Sequence, residues 1–241
     1  MFISNVKIEN FRNFDNISVD FRDGVNLLIG QNNAGKSNLL KALALIFDSR
    51  VKKQLSINDI YNNIPLSELR LHSPKISITV LLSQSDNENL MGDELVTVSN
   101  WLISLKEPYA AQIQYEFFLP EDQEEKYKKY IKDVSTQEEA RKIINDNFIR
   151  LYINKTWVGN PDNQVQIDGD SLNKFDFQFL DAIRDVERDM FSGKNTLLKN
   201  VIDFFIDYDI KSDKSISIEE QSKKIETRKA DFETTSHDLI E

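Results

Sequence analysis

The sequence predicts an α/β fold, and three observations support that prediction. A short apolar run at residues 25–29 leads into a glycine-rich loop and then into a helical pattern that begins at Lys36. Several segments alternate apolar and polar residues and are joined by connections too short for crossover helices, which is typical of antiparallel strands. From residue 214 onward the chain is strongly charged with a helical spacing. We therefore expect a strand–loop–helix unit, an added antiparallel β-layer and a C-terminal helical segment.

Composition excludes several classes of function. With 241 residues the chain has room for one large domain or two small ones, and we predict a domain over 1–210 and a charged helical segment over 211–241. The absence of cysteine excludes disulfides, a thiol nucleophile and a thiolate metal site. A net charge of −10 argues against generic nucleic-acid binding, although it leaves room for a local basic patch.

The chain carries no sign of membrane insertion or of a histidine-dependent site. No apolar run approaches the roughly 20 residues that cross a bilayer, and the N-terminus lacks a basic region followed by an apolar core. We therefore predict a cytoplasmic protein without a membrane partner. The two histidines, His72 and His237, are far apart in sequence, which argues against a histidine metal centre or triad.

The N-terminal residues predict a β-hairpin. Residues 6–8 and 17–21 alternate apolar and polar side chains, as half-buried strands do. The turn between them carries Arg12 between Phe11 and Phe14. From spacing alone, the simplest interpretation is a solvated Arg12 flanked by two core aromatics.

The glycine-rich loop predicts a phosphate-binding site. Residues 25–29 are expected to form a buried parallel strand, and the following residues fit G-x-x-x-x-G-K-[ST], with Gly30, Gly35, Lys36 and Ser37 in the fixed positions. Both glycines would permit backbone angles that a Cβ disfavours, so that successive N–H groups can surround a phosphate. Lys36 would bind the β- and γ-phosphates, Ser37 would coordinate Mg²⁺, and the helix would direct its positive end at the same anion. A chance match in an ordinary strand–loop–helix is the alternative, which the flanking strand and helix disfavour. The loop therefore predicts a P-loop NTPase.

The remaining elements follow from periodicity and turn signals. We predict a helix over 36–48 and a loop with short helical turns over 51–73. A capping box at Ser135 would start a helix that runs to about residue 147. Helical spacing recurs over 90–105 and 195–207, and an alternating segment covers 175–180. The predicted middle strands cover 75–82, 111–118, 148–153 and 164–167.

The charged tail has one apolar residue in every seven. These residues are Ile218, Ile225, Phe232 and Leu239. The second apolar position of a heptad is polar throughout, so the pattern does not establish a coiled coil. A partner-dependent helix and a two-stranded assembly both remain open.

Two of these motifs together resemble a known class. A strand, the segment Asn-Phe-Arg-Asn-Phe at 10–14, a second strand and the loop at 30–38 are similar to the N-terminal half of ABC-type ATPases of the RecF/SMC class. Within that class the chain looks most like the OLD (overcoming lysogenization defect) nucleases, which include the Gabija-type nuclease of phage defence. The resemblance is close over 1–48 and weaker over 56–61 and 179–185. It implies that residues 1–210 form an incomplete N-terminal lobe of an ABC-type ATPase head.

The resemblance also assigns roles. Heads of this class bind ATP with Mg²⁺ and dimerise around two ATP molecules, which implies a homo-oligomer. The matching arginine of the class lies near the nucleotide, so a nucleotide contact by Arg12 now stands beside the solvated interpretation. Asp59 and Gln84 are alternatives for the loop that senses the γ-phosphate, and the roles of Arg184 and Asp185 stay open. The implied nucleotide-binding residues are Arg12, Gly30, Asn32, Asn33, Ala34, Gly35, Lys36, Ser37 and Asn38, with Ser37 as the Mg²⁺ ligand.

Several parts of such an ATPase are not found in the sequence. An L-S-G-G-Q-like signature is missing, and Ser192-Gly193 is too short to replace it. The second acidic motif needs four apolar residues before Asp-Glu, and the nearest segments, 204–207 and 179–181, lack the glutamate. No acidic cluster for a nuclease follows. The catalytic residues are therefore unidentified, and we expect the N-terminal part of a longer protein, or a shortened relative, that binds ATP but hardly hydrolyses it.

The motifs and the resemblance lead to three alternative hypotheses of function. The first is the ATP-binding portion of an OLD-like, ATP-regulated DNA endonuclease in anti-phage defence, whose nuclease domain lies outside this chain. The second is a RecF/SMC-like DNA-repair clamp without a nuclease. The third is a shortened nucleotide sensor that associates with a partner protein through residues 214–241.

Overall fold

The computed structural model describes residues 1–32, 34–48, 51–85, 101–104 and 106–167, together with five helical residues of the tail. Those five are Glu220, Lys223, Lys224, Thr227 and Arg228. The chain divides into two compact units, Met1–Phe179 and Leu180–Glu241. Nearly all described residues belong to the first unit, and the predicted boundary after residue 210 lies outside them.

One seven-stranded sheet dominates the first unit. Its strands are β1 (Phe2–Phe11), β2 (Phe14–Asp20), β3 (Ile76–Ser83), β4 (Leu102–Ser104), β5 (Ala110–Phe118), β6 (Ile153–Val158) and β7 (Val165–Gln166). The order is β2-β1-β3-β5-β6-β7, with β4 also paired to β5. Every pairing is antiparallel. The predicted N-terminal hairpin and the antiparallel β-layer are confirmed.

The centre of the sheet is held by a row of cross-strand apolar pairs. Ile8 on β1 lies opposite Ile78 on β3, which in turn lies opposite Tyr115 on β5. Val6 and Val80 make a second such pair, and all five side chains are fully buried. Burial of an aliphatic side chain of this size contributes about 1.5–3 kcal/mol to folding. The alternation in the sequence therefore fixes the register of the three central strands, because a one-residue slip would expose this row.

Four helices are described alongside the sheet. They are α1 (Lys36–Phe47), α2 (Leu66–Leu71), α3 (Glu121–Ile131) and α4 (Gln137–Ile143). Short 3₁₀ turns cover Ile57–Asp59, Ile149–Leu151 and Pro161–Asn163, and a π-turn at Ile144–Phe148 continues α4. The predicted helix over 36–48 and the short helical turns within 51–73 are confirmed. The α3 helix lies in a stretch where the sequence shows mainly charge.

The α1 helix buries one apolar face and is closed at its C-terminus by a lysine. Leu39, Leu43 and Ile46 are buried within the core. The Lys53 ammonium donates hydrogen bonds to the carbonyls of Leu45 and Asp48, which lie at the end of the helix. Cations favour this position because the last carbonyls of a helix are unpaired and partially negative. Burial lowers the pKa of Lys53 despite the nearby Asp48.

The predicted buried parallel strand at residues 25–29 is wrong. The segment has no strand conformation, and the exposed fractions of Val25, Leu27 and Ile29 are 100%, 80% and 86%. The physical reason lies in the neighbouring strands. Both edges of β1 are already paired, with β2 and β3, and no described strand pairs with residues 25–29. An apolar run becomes a buried strand only where a neighbour supplies backbone hydrogen bonds.

The predicted strand at 148–153 is also wrong. Residues 144–151 form consecutive π and 3₁₀ turns, and β6 begins only at Ile153. Phe148 is fully buried, and its ring meets that of Tyr127 edge-on at 5.4 Å between centroids. This aromatic packing holds the segment in a helical turn, so its apolar residues belong to the helical layer. The strand prediction for 164–167 is confirmed by β7.

The predicted start of the fourth helix is displaced by one residue. Thr136, and not Ser135, is the N-cap, and its hydroxyl accepts a hydrogen bond from the N–H of Glu139 at 3.2 Å. The Glu139 carboxylate accepts one from the N–H of Ser135. The sequence offers two adjacent hydroxyl–glutamate pairs at the same spacing, and helix propensity alone does not choose between them.

Several predictions fall on residues that the structure leaves undescribed. These are the alternating segment at 175–180, the helical spacing at 195–207, residues 90–100 of the helical spacing at 90–105 and the four heptad residues of the tail. The described residues Leu102–Ser104 of that spacing form strand β4, so the helical prediction is wrong there. Within the described part of the chain, no helix is long and apolar enough to cross a membrane.

Candidate functional site

Gly35 is the residue on which the shape of the glycine-rich loop depends. Its φ is +97°, in the left-handed region that side chains with a Cβ rarely adopt. A Cβ built on it would lie 2.6 Å from Asn13 Nδ2 and 2.7 Å from two ring atoms of Phe14. Glycine is therefore required for two independent reasons, backbone conformation and close packing against the β1–β2 turn.

Gly30 does not share these constraints in this structure. A Cβ there would meet Ala34 Cβ at 3.4 Å, which is ordinary van der Waals contact. Its φ lies outside the left-handed region. The expectation that both glycines allow backbone angles closed to other residues holds for Gly35 and fails for Gly30, where the chain is exposed and open.

The first turn of α1 presents uncapped backbone donors. Gly35 is the N-cap and offers no side chain, while the first turn contains no acidic residue. The N–H groups of Lys36, Ser37 and Asn38 belong to the set that has no partner within a helix. Ser37 is exposed, and its hydroxyl bonds to no residue that the structure describes. This end of α1 is electropositive and suited to an anion.

The Lys36 side chain turns back over the loop. Its ammonium donates to the carbonyl of Gly30 at 2.6 Å and to that of Gln31 at 2.7 Å. The N–H of Ala34 donates to the carbonyl of Gln31 at 3.2 Å, which closes the loop on itself. Asn32 is exposed beside these carbonyls, and Asn33 is not described. The loop thus brings one mobile cation to the electropositive end of α1.

Arg12 is fixed by the backbone on the other side of the same helix end. It has a φ of +53°, and its N–H donates to the carbonyl of Asp59 at 2.8 Å. The N–H of Tyr61 donates to the carbonyl of Asn10 at 2.9 Å, and Phe11 and Ile60 form a β-bridge between these two bonds. The β1–β2 turn is therefore joined to the segment that follows the 3₁₀ turn Ile57–Asp59.

The Arg12 side chain connects that segment to α1. Its Nε and Nη2 lie 3.0 and 2.9 Å from Oδ1 of Asp59, and its Nη1 donates to Oδ1 of Asn38 at 3.0 Å. Asn38 then donates to the side-chain oxygen of Asn13 at 2.7 Å. The guanidinium carbon also lies 5.4 Å from the centre of the Phe11 ring. The solvated interpretation of Arg12 is therefore wrong, because the guanidinium is bound on three sides.

The Asp59 carboxylate is stabilised in its ionised form. Partial burial would raise its pKa, but the pKa is lowered, because the N–H and hydroxyl of Ser56 and the Arg12 guanidinium all bond to the carboxylate. Ser56 donates through its N–H at 3.0 Å and its hydroxyl at 2.9 Å to Oδ2, while Arg12 occupies Oδ1. Both oxygens are thus engaged. We call Arg12, Asn13, Asn38 and Asp59 the Arg12 network.

A polar cavity of about 550 Å³ opens beside the Arg12 network. Five of its described lining residues are asparagines, and the other described ones are an arginine, an aspartate and a tyrosine. Such a lining offers both donors and acceptors, which suits a ligand rich in hydrogen-bonding groups. The lining residues are Arg12, Asn13, Asn38, Asn58, Asp59, Tyr61, Asn62 and Asn63.

Two residues of α4 support this cavity, and neither was identified from the sequence. Arg141 donates to the carbonyls of Tyr61 at 3.0 Å and Ile57 at 2.8 Å. Gln137, one helical turn earlier, donates to the carbonyls of Asn62 at 2.6 Å and Ile64 at 2.8 Å. Partial burial lowers the pKa of Arg141. Their i, i+4 spacing indicates that they share a helix face. The sequence does not indicate the carbonyls that they bind, which lie 73–84 residues away.

The two alternatives for the γ-phosphate loop lie at opposite ends of the sheet. Asp59 bonds to Arg12, beside the loop. Gln84 follows β3 at the end where Ser83 pairs with Phe2, and its side chain accepts from the N–H of Tyr109. Because β1 extends from Phe2 to Phe11, this position is about 30 Å from the Arg12 turn. Arg184, Asp185 and the acidic segments at 179–181 and 204–207 are outside the described residues.

The donor set fits a phosphate group together with Mg²⁺. Magnesium in phosphate sites takes one or two protein ligands and completes its shell with phosphate oxygens and water, so one exposed hydroxyl, that of Ser37, is sufficient. In the described ranges, no group of three or more histidine, cysteine or carboxylate side chains is arranged to hold a metal by itself. Any metal at this loop would therefore depend on the phosphates for its other ligands.

Comparisons with known proteins agree with this geometry. A family model described as an AAA ATPase domain, AAA_15, matches residues 1–240. An ATP/GTP phosphatase from Helicobacter pylori is 28% identical over 145 residues, which cover 54% of this chain and 39% of that protein. The DNA replication and repair protein RecF of Francisella tularensis subsp. novicida is 32% identical over 92 residues, which cover 37% of this chain and 26% of RecF. The chain therefore spans well under half the length of these curated relatives.

A solved structure from work on ATP-driven dimerization and DNA-stimulated activation of SMC ATPases is also similar, with 12% identity and a TM-score of 0.38. That match covers 72% of this chain and 76% of the other. The family match carries the assignment because it extends over almost the whole sequence and agrees with the loop at 30–37. The chain has a P-loop ATPase fold with an antiparallel sheet and belongs to the AAA ATPase domain family.

Proposed function

We propose that this chain binds ATP together with Mg²⁺ at the glycine-rich loop, as the ATP-binding part of an ATPase that controls DNA processing. One observation carries the nucleotide half of the proposal. Gly35, with its left-handed φ and its close contact with the β1–β2 turn, fixes a loop that ends at the uncapped N-terminus of α1. This is the geometry that a phosphate needs, since backbone N–H groups and the helix dipole act together.

Each loop residue has a role in this proposal. Lys36 leaves the carbonyls of Gly30 and Gln31 and binds the β- and γ-phosphates, where a flexible ammonium neutralises charge. Ser37 coordinates Mg²⁺, and the N–H groups of residues 32–37 surround the β-phosphate. Mg²⁺ held by Ser37 would supply a Lewis acid that stabilises negative charge on the phosphates. The residues of the chain bind and orient the triphosphate.

The Arg12 network extends this site away from the loop. Three of the five N–H groups of Arg12 are occupied by Asp59 and Asn38, so its remaining donors are available to a phosphate oxygen. The asparagine-lined cavity beside it is suited to the polar sugar and base of a nucleotide. We propose that phosphates lie between Lys36 and Arg12, with the nucleoside at the cavity.

Calorimetric titration of the 241-residue chain with Mg-ATP tests the nucleotide half. We expect Lys36→Ala to weaken ATP binding by more than tenfold, whereas Lys41→Ala, an exposed lysine further along α1, should bind as the wild type does. Equal affinity of Lys36→Ala and wild type contradicts the proposal.

We also propose that the isolated chain hydrolyses ATP slowly or not at all. The sequence lacks the motif of four apolar residues followed by Asp-Glu, which would supply the acidic residue that positions the attacking water. Phosphate release should therefore be close to the buffer rate even where binding is saturated. If the wild type releases phosphate at the rate of an ordinary ATPase and Lys36→Ala abolishes that release, the chain does contain the residue that positions the attacking water.

For the whole protein, we propose an OLD-like endonuclease in cytoplasmic anti-phage defence, whose ATP state regulates DNA cleavage by another domain. The resemblance over residues 1–48 supports it. The test is cleavage of supercoiled plasmid by the full-length gene product with and without ATP. We expect Lys36→Ala to remove the nucleotide dependence of cleavage. Absence of any nuclease activity in the full-length protein contradicts this part.

The second candidate is a RecF-like clamp that dimerises on DNA without cutting it, and the similarity to RecF favours it. Both candidates predict head-to-head dimers with ATP, so light scattering with and without nucleotide does not separate them. The plasmid assay does, because a clamp binds DNA in an ATP-dependent manner and leaves it intact.

A further inference from the structure

A basic cleft lies between α2 and α3, and its described lining shares no residue with the site assigned to the nucleotide. Its volume is about 270 Å³, and four of its five described lining residues are cations. Arg70 comes from α2, and Lys128, Lys129 and Lys132 come from α3 and its C-terminal end. Glu125 is the one carboxylate among the lining residues that the structure describes. We call these five residues the basic cleft.

The charge of the cleft is opposite to that of the chain. The whole sequence carries a net charge of −10, whereas the cleft lining carries four positive charges and one negative charge. Within the part of the chain that the structure describes, none of its four cations lies within 4.0 Å of a carboxylate. Four cations repel one another and a single carboxylate, Glu125, compensates only part of that repulsion, so an anionic ligand would relieve an unfavourable arrangement.

Favourable interaction with the α3 dipole accounts for part of this pattern. The helix has acidic residues in its first turn and Lys128 and Lys129 in its last turn, and each such placement stabilises a helix by about 0.3–1 kcal/mol. Arg70 lies in the last turn of α2, where the dipole of that helix favours a cation in the same way. The dipoles do not explain why the cations of two helices line one cleft. Arg70 Nη2 donates to the carbonyl of Val134 at 2.6 Å, beyond the end of α3. This bond holds the guanidinium against the lysines of the neighbouring helix.

The lining indicates which anion the cleft receives. Small-molecule sites are usually larger than about 300 Å³, whereas this cleft is smaller and is lined by long charged side chains. Lys128 and Lys132 are one turn apart, so their attachment points are separated by about 6 Å along the helix. A row of separate lysine charges beside a fixed guanidinium suits a row of phosphates better than a single one.

We propose that the basic cleft is the surface on which this protein holds the phosphate backbone of DNA. The proposal rests on the DNA-processing half of the proposed function and assigns it a location. Lys128, Lys129 and Lys132 each neutralise a backbone phosphate, and Arg70 binds one through its free N–H groups. Contacts of this kind position a duplex without reading its sequence.

Fluorescence anisotropy with a short labelled DNA duplex and the full 241-residue chain, with and without Mg-ATP, tests the assignment. Four phosphate contacts give a slope of log affinity against log salt of about −3 to −4, a loss of about 100-fold between about 50 and 200 mM salt. The triple variant Lys128→Gln, Lys129→Gln, Lys132→Gln should retain a slope near −1, with only about a threefold loss over that range. Its binding at the lower salt should be weaker than that of wild type by more than tenfold.

The matched control changes the net charge equally outside the cleft. Lys106→Gln, Lys126→Gln, Lys142→Gln removes three exposed lysines that do not line it, one of them on α3 itself. This variant should keep the wild-type slope, and circular dichroism melts should show both triple variants folded. The assignment is overturned if both triple variants lose DNA binding equally. It is also overturned if the cleft variant binds DNA as tightly as wild type does.

Two further outcomes separate this assignment from the proposed function. If wild type binds Mg-ATP but no DNA, the basic cleft is overturned together with the DNA half, and the nucleotide half stands. The wild type could instead bind vesicles that contain phosphatidylserine and not bind the duplex. If the cleft variant then loses vesicle binding, the cleft is a membrane-binding surface and the proposal is overturned.

Discussion

The glycine-rich loop and the Arg12 network meet at the N-terminus of α1, and they are held in place by different means. The loop is local: one glycine with a left-handed φ and two bonds from Lys36 to loop carbonyls account for its described shape. The Arg12 network is assembled from the β1–β2 turn, α1 and the 3₁₀ turn Ile57–Asp59, and α4 supports it from outside. A single substitution should therefore disrupt the loop, whereas the network should lose stability in smaller, separate steps.

The largest effect is expected at Gly35. Gly35→Ala forces a Cβ into the left-handed region and against Asn13 and Phe14, so the free energy of unfolding should fall by about 2–4 kcal/mol. Gly30→Ala is the matched control and should change it by less than about 0.5 kcal/mol, since ordinary space is available. Urea denaturation measures both. Similar losses in the two variants would mean that the loop is not held at Gly35.

Asp59→Asn should have the next largest effect. The substitution removes the negative charge from the carboxylate that accepts hydrogen bonds from Arg12 and Ser56. The free energy of unfolding should therefore fall by about 1–3 kcal/mol at neutral pH. Because the pKa of Asp59 is lowered on folding, its contribution is complete above about pH 4 and is lost as the pH falls through the folded pKa. The stability difference between wild type and Asp59→Asn should therefore narrow in acid. Asp133→Asn, at an exposed carboxylate, is the control and should leave the free energy of unfolding close to that of wild type at neutral pH.

Arg141→Met removes support from outside the network. Loss of the bonds to the carbonyls of Ile57 and Tyr61 should cost about 1–2 kcal/mol, because these carbonyls lose their donor. Lys142→Met, at the exposed next residue of α4, is the control and should be close to wild type. Thermal unfolding compares them. Equal melting temperatures for the two variants would exclude Arg141 as a support of the cavity.

The smallest effect is expected in the apolar segment before the loop. Leu27 is 80% exposed, so Leu27→Ala should change the free energy of unfolding by less than about 0.5 kcal/mol. Leu39→Ala, in the buried face of α1, should cost about 2–5 kcal/mol. A loss at Leu27 that approaches that at Leu39 would show that residues 25–29 are buried in solution, as the sequence predicts for a strand.

Features with a local cause were predictable from the sequence. The motif at 30–37 located the loop and the start of α1 to the residue, and alternation located β1, β2, β3 and β5. The same reasoning failed at residues 25–29 and 148–153. Apolar character shows that a segment tends to be buried, but a strand also needs a neighbour, and the aromatic packing of Phe148 depends on residues from α3.

The contacts of the site that join residues far apart in the chain were largely not predictable from the sequence. Asp59 was one of two alternatives, and only its bond to Arg12, 47 residues away, distinguishes it from Gln84. Gln137 and Arg141 bond to backbone carbonyls, which carry no side-chain signature in a sequence. The basic cleft depends on Arg70 and the α3 lysines, which are brought together by the packing of two helices.

The central claim is that the loop and the Arg12 network bind one nucleotide, and the ATP affinities of Arg12→Gln and Asp59→Asn test it most directly. Both substitutions break the same ion pair, but only Arg12→Gln removes the cation. We predict that Arg12→Gln weakens ATP binding by about tenfold or more, whereas Asp59→Asn, which leaves the guanidinium available, weakens it far less. Equal affinities of the two variants, whether reduced or unchanged, would contradict the claim, because Arg12 would then act only within the fold.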